Sequence, residues 1–151
     1  MSHDARLAEL KIVLPEALAP VANYVPYQIS GNLLYVSGQI SNGPDGLIRG
    51  KLGADMDVAA GAQAARACGL ALLAQARAAL GSLDRVARVV KLTGFVNSTP
   101  DFGDQPEVVN GCSDLMVEVF GDAGRHARAA VSAPALPRGV ALEIEAIFEV
   151  A

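Results

Sequence analysis

Apolar residues recur with two different periods along this chain, and the switches between them mark its elements. In DARLAELKIVLPEAL, residues 4–18, Leu7, Leu10 and Val13 or Leu14 fall at helical spacing and predict a short amphipathic helix closed by Pro15. Pro20 and Pro26 punctuate the entry to a sheet. YVPYQIS (24–30) and LLYVSGQI (33–40) then predict two strands around Gly31-Asn32, a dipeptide suited to a tight hairpin turn. SNGPDG, 41–46, is a loop with strong turn chemistry. Asp57 is placed to cap a long helix over 58–80, in which Val58, Ala62, Ala65, Leu72, Leu73, Ala76 and Leu80 form an apolar stripe ended by Gly81. VARVVKLTGFVN predicts the next strand, broken by STPDF and Pro100, and a second helix runs from about 104 to 120 before Gly121.

Residues 125–150, RHARAAVSAPALPRGVALEIEAIFEV, read as two further strands. In the final one Val140, Leu142, Ile144, Ala146, Phe148 and Val150 point one way, while Ala141, Glu143, Glu145, Ile147 and Glu149 point the other. The first set is an unbroken core face. The second must meet chemistry, solvent or another subunit. The order helix, hairpin, helix, strand, helix, strand, strand gives two long amphipathic helices that cover only one face of a sheet, a two-layer α+β domain.

At 151 residues the chain is expected to be one domain, 1–151, whose first 19 residues are a helical extension. It is 52% hydrophobic and 19% charged, which excludes a disordered chain. That apolar excess would be explained by an oligomer that hides apolar faces between copies; an alanine-rich monomer is the alternative. The net charge of −4 opposes a nucleic-acid partner, since phosphate-neutralising surfaces are basic. The small basic cluster Arg85, Arg88 and Lys91 reads as the solvated entry to a strand. Cys68 and Cys112 each fall inside a predicted helix without a C-x-x-C spacing, which fits a reduced, cytoplasmic chain. The charged start MSHDARLAEL shows no signal peptide, and no apolar run reaches the ~18 residues that a membrane span requires.

There is no P-loop, no G-x-G-x-x-G after a strand and no H-E-x-x-H, and the two histidines, His3 and His126, offer no metal site. Ser37 lacks the G-x-S-x-G elbow of a serine nucleophile. What remains is Arg128, set among Ala127, Ala129 and Ala130. Its planar fork of donors matches a carboxylate bidentately, so it reads either as a clamp for an anionic ligand or as a structural ion pair with a glutamate of the last strand. His126, two residues earlier on the same strand face, is either a titrating group or a hydrogen-bonded structural histidine.

The blocks LLYVSGQIS, DRVARVVKLTGFVNS, VVNGCSDL and HARAAVSAPALPRGVALEIEAIFEV, in this order from about Tyr24 to Val150, resemble the RidA/YjgF-like reactive-intermediate deaminase family, also labelled endoribonuclease L-PSP. The resemblance implies a chorismate-mutase-like fold, a mixed sheet backed by two helices, assembled as a homotrimer with clefts between subunits. It implies that Arg128 binds the carboxylate of an imine or enamine derived from an amino acid, and that Glu143 positions water. Tyr24, Gly38 and Asn110 would line the same cleft, Gly38 because a missing side chain lets a ligand approach closely.

Three positions depart from the family pattern. A cysteine common two residues after the arginine is Ala130, the usual proline before the AR pair is His126, and the N-terminal helix and NSTPDFGDQP are longer than in compact members. The implied activity is hydrolysis of a 2-imino or 2-enamino acid to the 2-oxo acid and ammonia, of the 2-iminobutanoate or 2-iminopropanoate type, with no metal or organic cofactor. A non-catalytic trimer that binds a small carboxylic acid uses the same arginine and stays open beside it. Ribonuclease activity, the older family label, is disfavoured by the acidic balance.

Overall fold

The computed structural model of the chain describes residues 2–151. Helix α1, His3–Glu9, is capped by the Ser2 hydroxyl, which accepts from the Ala5 amide at 3.0 Å. It is shorter than its apolar spacing predicts. Lys11 adopts a left-handed conformation (φ 58°), its amide bonds back to Ala8 and the Ile12 amide to Leu7, and this closes the helix well before Pro15. The helical extension is therefore this one segment, followed by irregular chain in which Leu14 is buried and Val13 points out.

Strands β1, Tyr27–Ser30, and β2, Leu33–Ile40, form the expected hairpin, with Gly31 at φ 62° in its turn. The first strand starts three residues later than its sequence suggests. Pro26 has no amide to donate to a ladder, and Tyr24 lies ahead of it in a tight turn closed by its own amide on Ala22. The turn-rich loop after β2 holds a minimal two-stranded ribbon, β3 (Asn42–Gly43) with β4 (Gly46–Leu47). Helix α2 spans Val58–Leu80 as its signals predict, with Asp57 accepting from the Ala60 amide at 2.8 Å and Gly81 ending it in the left-handed region. Strand β5 is Val86–Asn97, helix α3 Gln105–Phe120, strand β6 Ala127–Ala133 and strand β7 Leu142–Val150.

The five long strands make one mixed sheet in the order β1-β2-β7-β5-β6, in which only β5 and β6 run parallel, joined through α3. Both long helices lie on one face, α2 over β7 and β2, α3 over β5 and β6. They approach each other closely. A side chain at Gly111 of α3 would overlap the Ala62 carbonyl of α2, so this crossing requires glycine. Leu72, Leu73, Leu115 and Met116 fill the space between helices and sheet, against Leu34, Leu92, Leu142, Ile144 and Phe148. The α+β, two-layer expectation holds.

The pairing of β2 with β7 is interrupted. Tyr35 and Val36 face Ile147 and Ala146, but Gln39 and Ile40 face Ile144 and Glu143, which leaves Ser37 and Gly38 together opposite Glu145. This β-bulge is what shapes the sheet face that the helices leave bare.

Candidate functional site

Two charged groups stand without a partner charge, on opposite faces of the sheet. Arg128 pairs across β5 with buried Leu92, and Leu92 with buried Ala146, so its side chain belongs to the helix-covered side at the β6 edge. There Nη1 donates to Asn110 Oδ1 at 2.8 Å and to Ser113 Oγ at 3.1 Å. Asn110 and Ser113 lie three apart on α3 and so share the face that meets β6. Both acceptors are neutral, and among the described residues no carboxylate pairs with Arg128. The ion pair with a last-strand glutamate, one of the two sequence readings, does not form within the chain, because those glutamates project from the other face. With both Nη1 hydrogens engaged, the Nε–Nη2 edge of the guanidinium remains for a bidentate anion.

His126 stands behind this arginine. Its Nδ1 is 2.6 Å from the Gly124 carbonyl and its Nε2 2.9 Å from Ser113 Oγ. Burial lowers its pKa below the usual histidine value; the carbonyl partly offsets this, and the Arg128 charge adds to the lowering. Ser113 is a site residue that motif reading missed, although its spacing of three from Asn110 in VVNGCSDL is a usable signal.

Glu143 projects from the bare face, paired across the sheet with Ile40 and Phe95. It is half-buried, and its carboxyl is raised above the ordinary range, first by burial and then by the charge of Glu145. No other side chain among the described residues hydrogen-bonds to it. Gly38, from the bulge, lies directly against it: an added Cβ would overlap Oε2 and sit 3.0 Å from Cδ. Tyr24, half-exposed, lines an open groove of about 630 Å³ with Tyr27, Tyr35, Ser37, Glu145 and Ile147. The Ser37 hydroxyl is engaged with the Val25 carbonyl at 2.8 Å.

The chain therefore joins Arg128 to Asn110 and Glu143 to Gly38, and puts Tyr24 on the Glu145 groove. It does not bring these groups to one point. Arg128, level with Leu92 of β5, and Glu143, level with Phe95, are separated by two strand spacings, about 10 Å, by about 10 Å more along the strand, and by the sheet itself. Cys68 and Cys112 are buried thiols, and burial pushes Cys112 up to about 12. Among the described residues no three His, Cys, Asp or Glu side chains gather into a metal-binding group, and no helix is long and apolar enough to cross a membrane.

A family model described as "YjgF/chorismate mutase-like, putative endoribonuclease" matches residues 4–148. Protein TCP17 of Trypanosoma cruzi is 53% identical over 147 residues, 96% of this chain and 92% of that protein. The crystal structure of the protein Atu1372 from Agrobacterium tumefaciens superposes with a TM-score of 0.90 at 48% identity, over 99% of this chain and 92% of that one. That of the YjgF gene product of E. coli gives 0.63 at 30% identity, over 89% and 93%. The topology is shared with both, and the detailed geometry is much closer to the former.

Proposed function

The chain belongs to the YjgF/chorismate mutase-like family, and from that premise we propose that it hydrolyses 2-imino and 2-enamino acids to 2-oxo acids and ammonia, in clefts between the subunits of a homotrimer. The observation that carries this reading is the state of Arg128. Its guanidinium is oriented by two neutral oxygens and neutralised by none, with its carboxylate-matching edge free.

The two-copy site follows from the sheet. One chain holds Arg128 and Glu143 on opposite faces, so both reach one substrate only if the β6 edge of one copy covers the bare face of the next. That face carries Tyr35, Phe95, Val131 and Ile147, apolar enough to favour cover.

In such a cleft Arg128 holds the substrate carboxylate and supplies proximity. The enamine tautomerises to the imine, and water adds across C=N. The tetrahedral carbinolamine then expels ammonia, leaving the 2-oxo acid. Glu143 takes the proton from the attacking water, and its raised affinity for protons suits it to return one to the leaving nitrogen. Such general acid–base assistance contributes about 10²–10⁴-fold. Gly38 keeps the space beside that carboxylate open.

Ammonia release from freshly generated 2-imino acids tests the reading. Arg128→Lys keeps the charge and loses the fork, so it should remain folded yet lose most activity and most affinity for 2-oxo acids. Glu143→Gln should lower turnover more than it weakens binding. Wild-type turnover in Glu143→Gln would remove Glu143 from the acid–base role, and carboxylate binding without ammonia release from any 2-imino acid would leave a binding protein instead of an enzyme.

A further inference from the structure

Hydrogen-bond direction fixes where the proton sits behind Arg128. The Gly124 carbonyl can only accept, so His126 Nδ1 carries the hydrogen at that 2.6 Å contact. In the neutral ring Nε2 is then an acceptor, and the Ser113 hydroxyl 2.9 Å away must donate to it. Ser113 Oγ in turn accepts from Arg128 at 3.1 Å. The result is one directed chain: guanidinium to hydroxyl, hydroxyl to imidazole, imidazole to backbone carbonyl.

We propose that Ser113 and His126 form a proton relay behind Arg128, which couples the binding of a small carboxylate at the guanidinium to the uptake of a proton by the histidine. The inference rests on the reading of Arg128 as a carboxylate clamp. When a solvent proton binds Nε2, that nitrogen becomes a donor to Ser113 Oγ. The serine hydrogen is released from the ring and is free to turn toward the anion on Arg128. The ligand therefore gains one donor and a second positive charge nearby. Conversely, a bound carboxylate offsets the guanidinium charge that opposes protonation of the ring.

The charges around the histidine leave this coupling uncompensated. From β6 only Arg128 acts on it, and α3 presents neutral Asn110 and Ser113 with the buried thiol of Cys112 behind them. In the preceding turn Asp122 and Arg125 pair with each other at 3.4 Å. Lys91 of β5, across from Ala127, lies on the opposite sheet face. Ser113 and His126 are positioning residues here; Arg128 makes the contact.

Pyruvate, the simplest 2-oxo acid, is the probe. Calorimetry across pH 4–8 in the Glu143→Gln background, which removes the carboxyl raised above the ordinary range in the cleft, should show affinity rising by about threefold to tenfold as pH falls through the titration of His126. Repeating it in two buffers of different ionisation heat should reveal proton uptake. Nitrogen NMR of the ring should show the Nδ1–H tautomer in the free protein and a higher His126 pKa in the complex. His126→Gln keeps an acceptor for Ser113 without a titration and should flatten the profile, while Ser113→Ala should leave His126 titrating with a smaller response to pyruvate, the part carried by charge alone. A flat profile with binding that still depends on Arg128, or an Nε2–H tautomer, overturns the relay alone. No pyruvate binding, or binding unaffected by Arg128→Lys, overturns the clamp with it.

Discussion

Gly38→Ala tests how closely the bulge controls the carboxylate beside it. The backbone at Gly38 lies outside the left-handed region, so alanine adopts it without strain. The cost falls on Glu143: the new methyl would overlap Oε2 and lie 3.0 and 3.1 Å from Cδ and Cγ. Restoring ordinary contact requires the carboxylate to move by about 1 Å, a shift that can cost roughly 10²-fold when it misplaces a catalytic group. Moving one half-buried side chain off its rotamer costs only about 0.5–1.5 kcal/mol. In a chain of this size that lowers the melting temperature by a few degrees, about 2–4 °C per kcal/mol. The expected outcome is therefore a folded protein with kcat for imine hydrolysis down about 100-fold and 2-oxo acid affinity nearly unchanged. Adding Gly38→Ala to Glu143→Gln should cost almost nothing further, since both act through one carboxylate. Wild-type kcat in Gly38→Ala, or fully additive losses in the double variant, would refute the assigned link between this glycine and Glu143.

Two further outcomes are expected. Sedimentation at micromolar concentration should show a single species of three chains, and a stable monomer would remove the two-copy cleft. Both thiols should resist alkylation at pH 8 in the native protein and react on unfolding; with Cys112 pushed up to about 12, its thiolate is about one part in 10⁴ at that pH, and burial denies access as well.

Where the sequence carries local instructions, the elements follow them. Asp57 and Gly81 bound α2 to the residue because capping and left-handed termination are chemistry of single side chains. The N-terminal helix is misjudged because Lys11, a residue with no preference for positive φ, ends it through backbone bonds alone. The strand pattern identifies the bare face with its glutamates, but not that Arg128 turns from it. That depends on β6 pairing in parallel with β5, a register set by long-range contacts. The family motifs bring out Arg128, Asn110, Glu143 and Gly38. Their division between two faces, and the place of Ser113 in the network, required the fold.

The bulge at Ser37–Gly38 also decides which way every later residue of β2 points. β2 runs in one phase up to Val36 and in the opposite phase from Gln39 onward, both measured against the same β7. Were β2 to pair straight through with both residues in line, Gln39 would come opposite Glu143 and Ile40 would turn inward. Gln39 would lose its place beside Gln75 of α2, and Gly38 its place against Glu143. Deleting one of the two would remove the bulge yet keep Gln39 opposite Ile144 and Ile40 opposite Glu143, and exchange of Ser37 for another small residue removes little beyond a single hydroxyl contact. To β7 the pair counts as a single residue, and what the extra one alters is the backbone lying against Glu143.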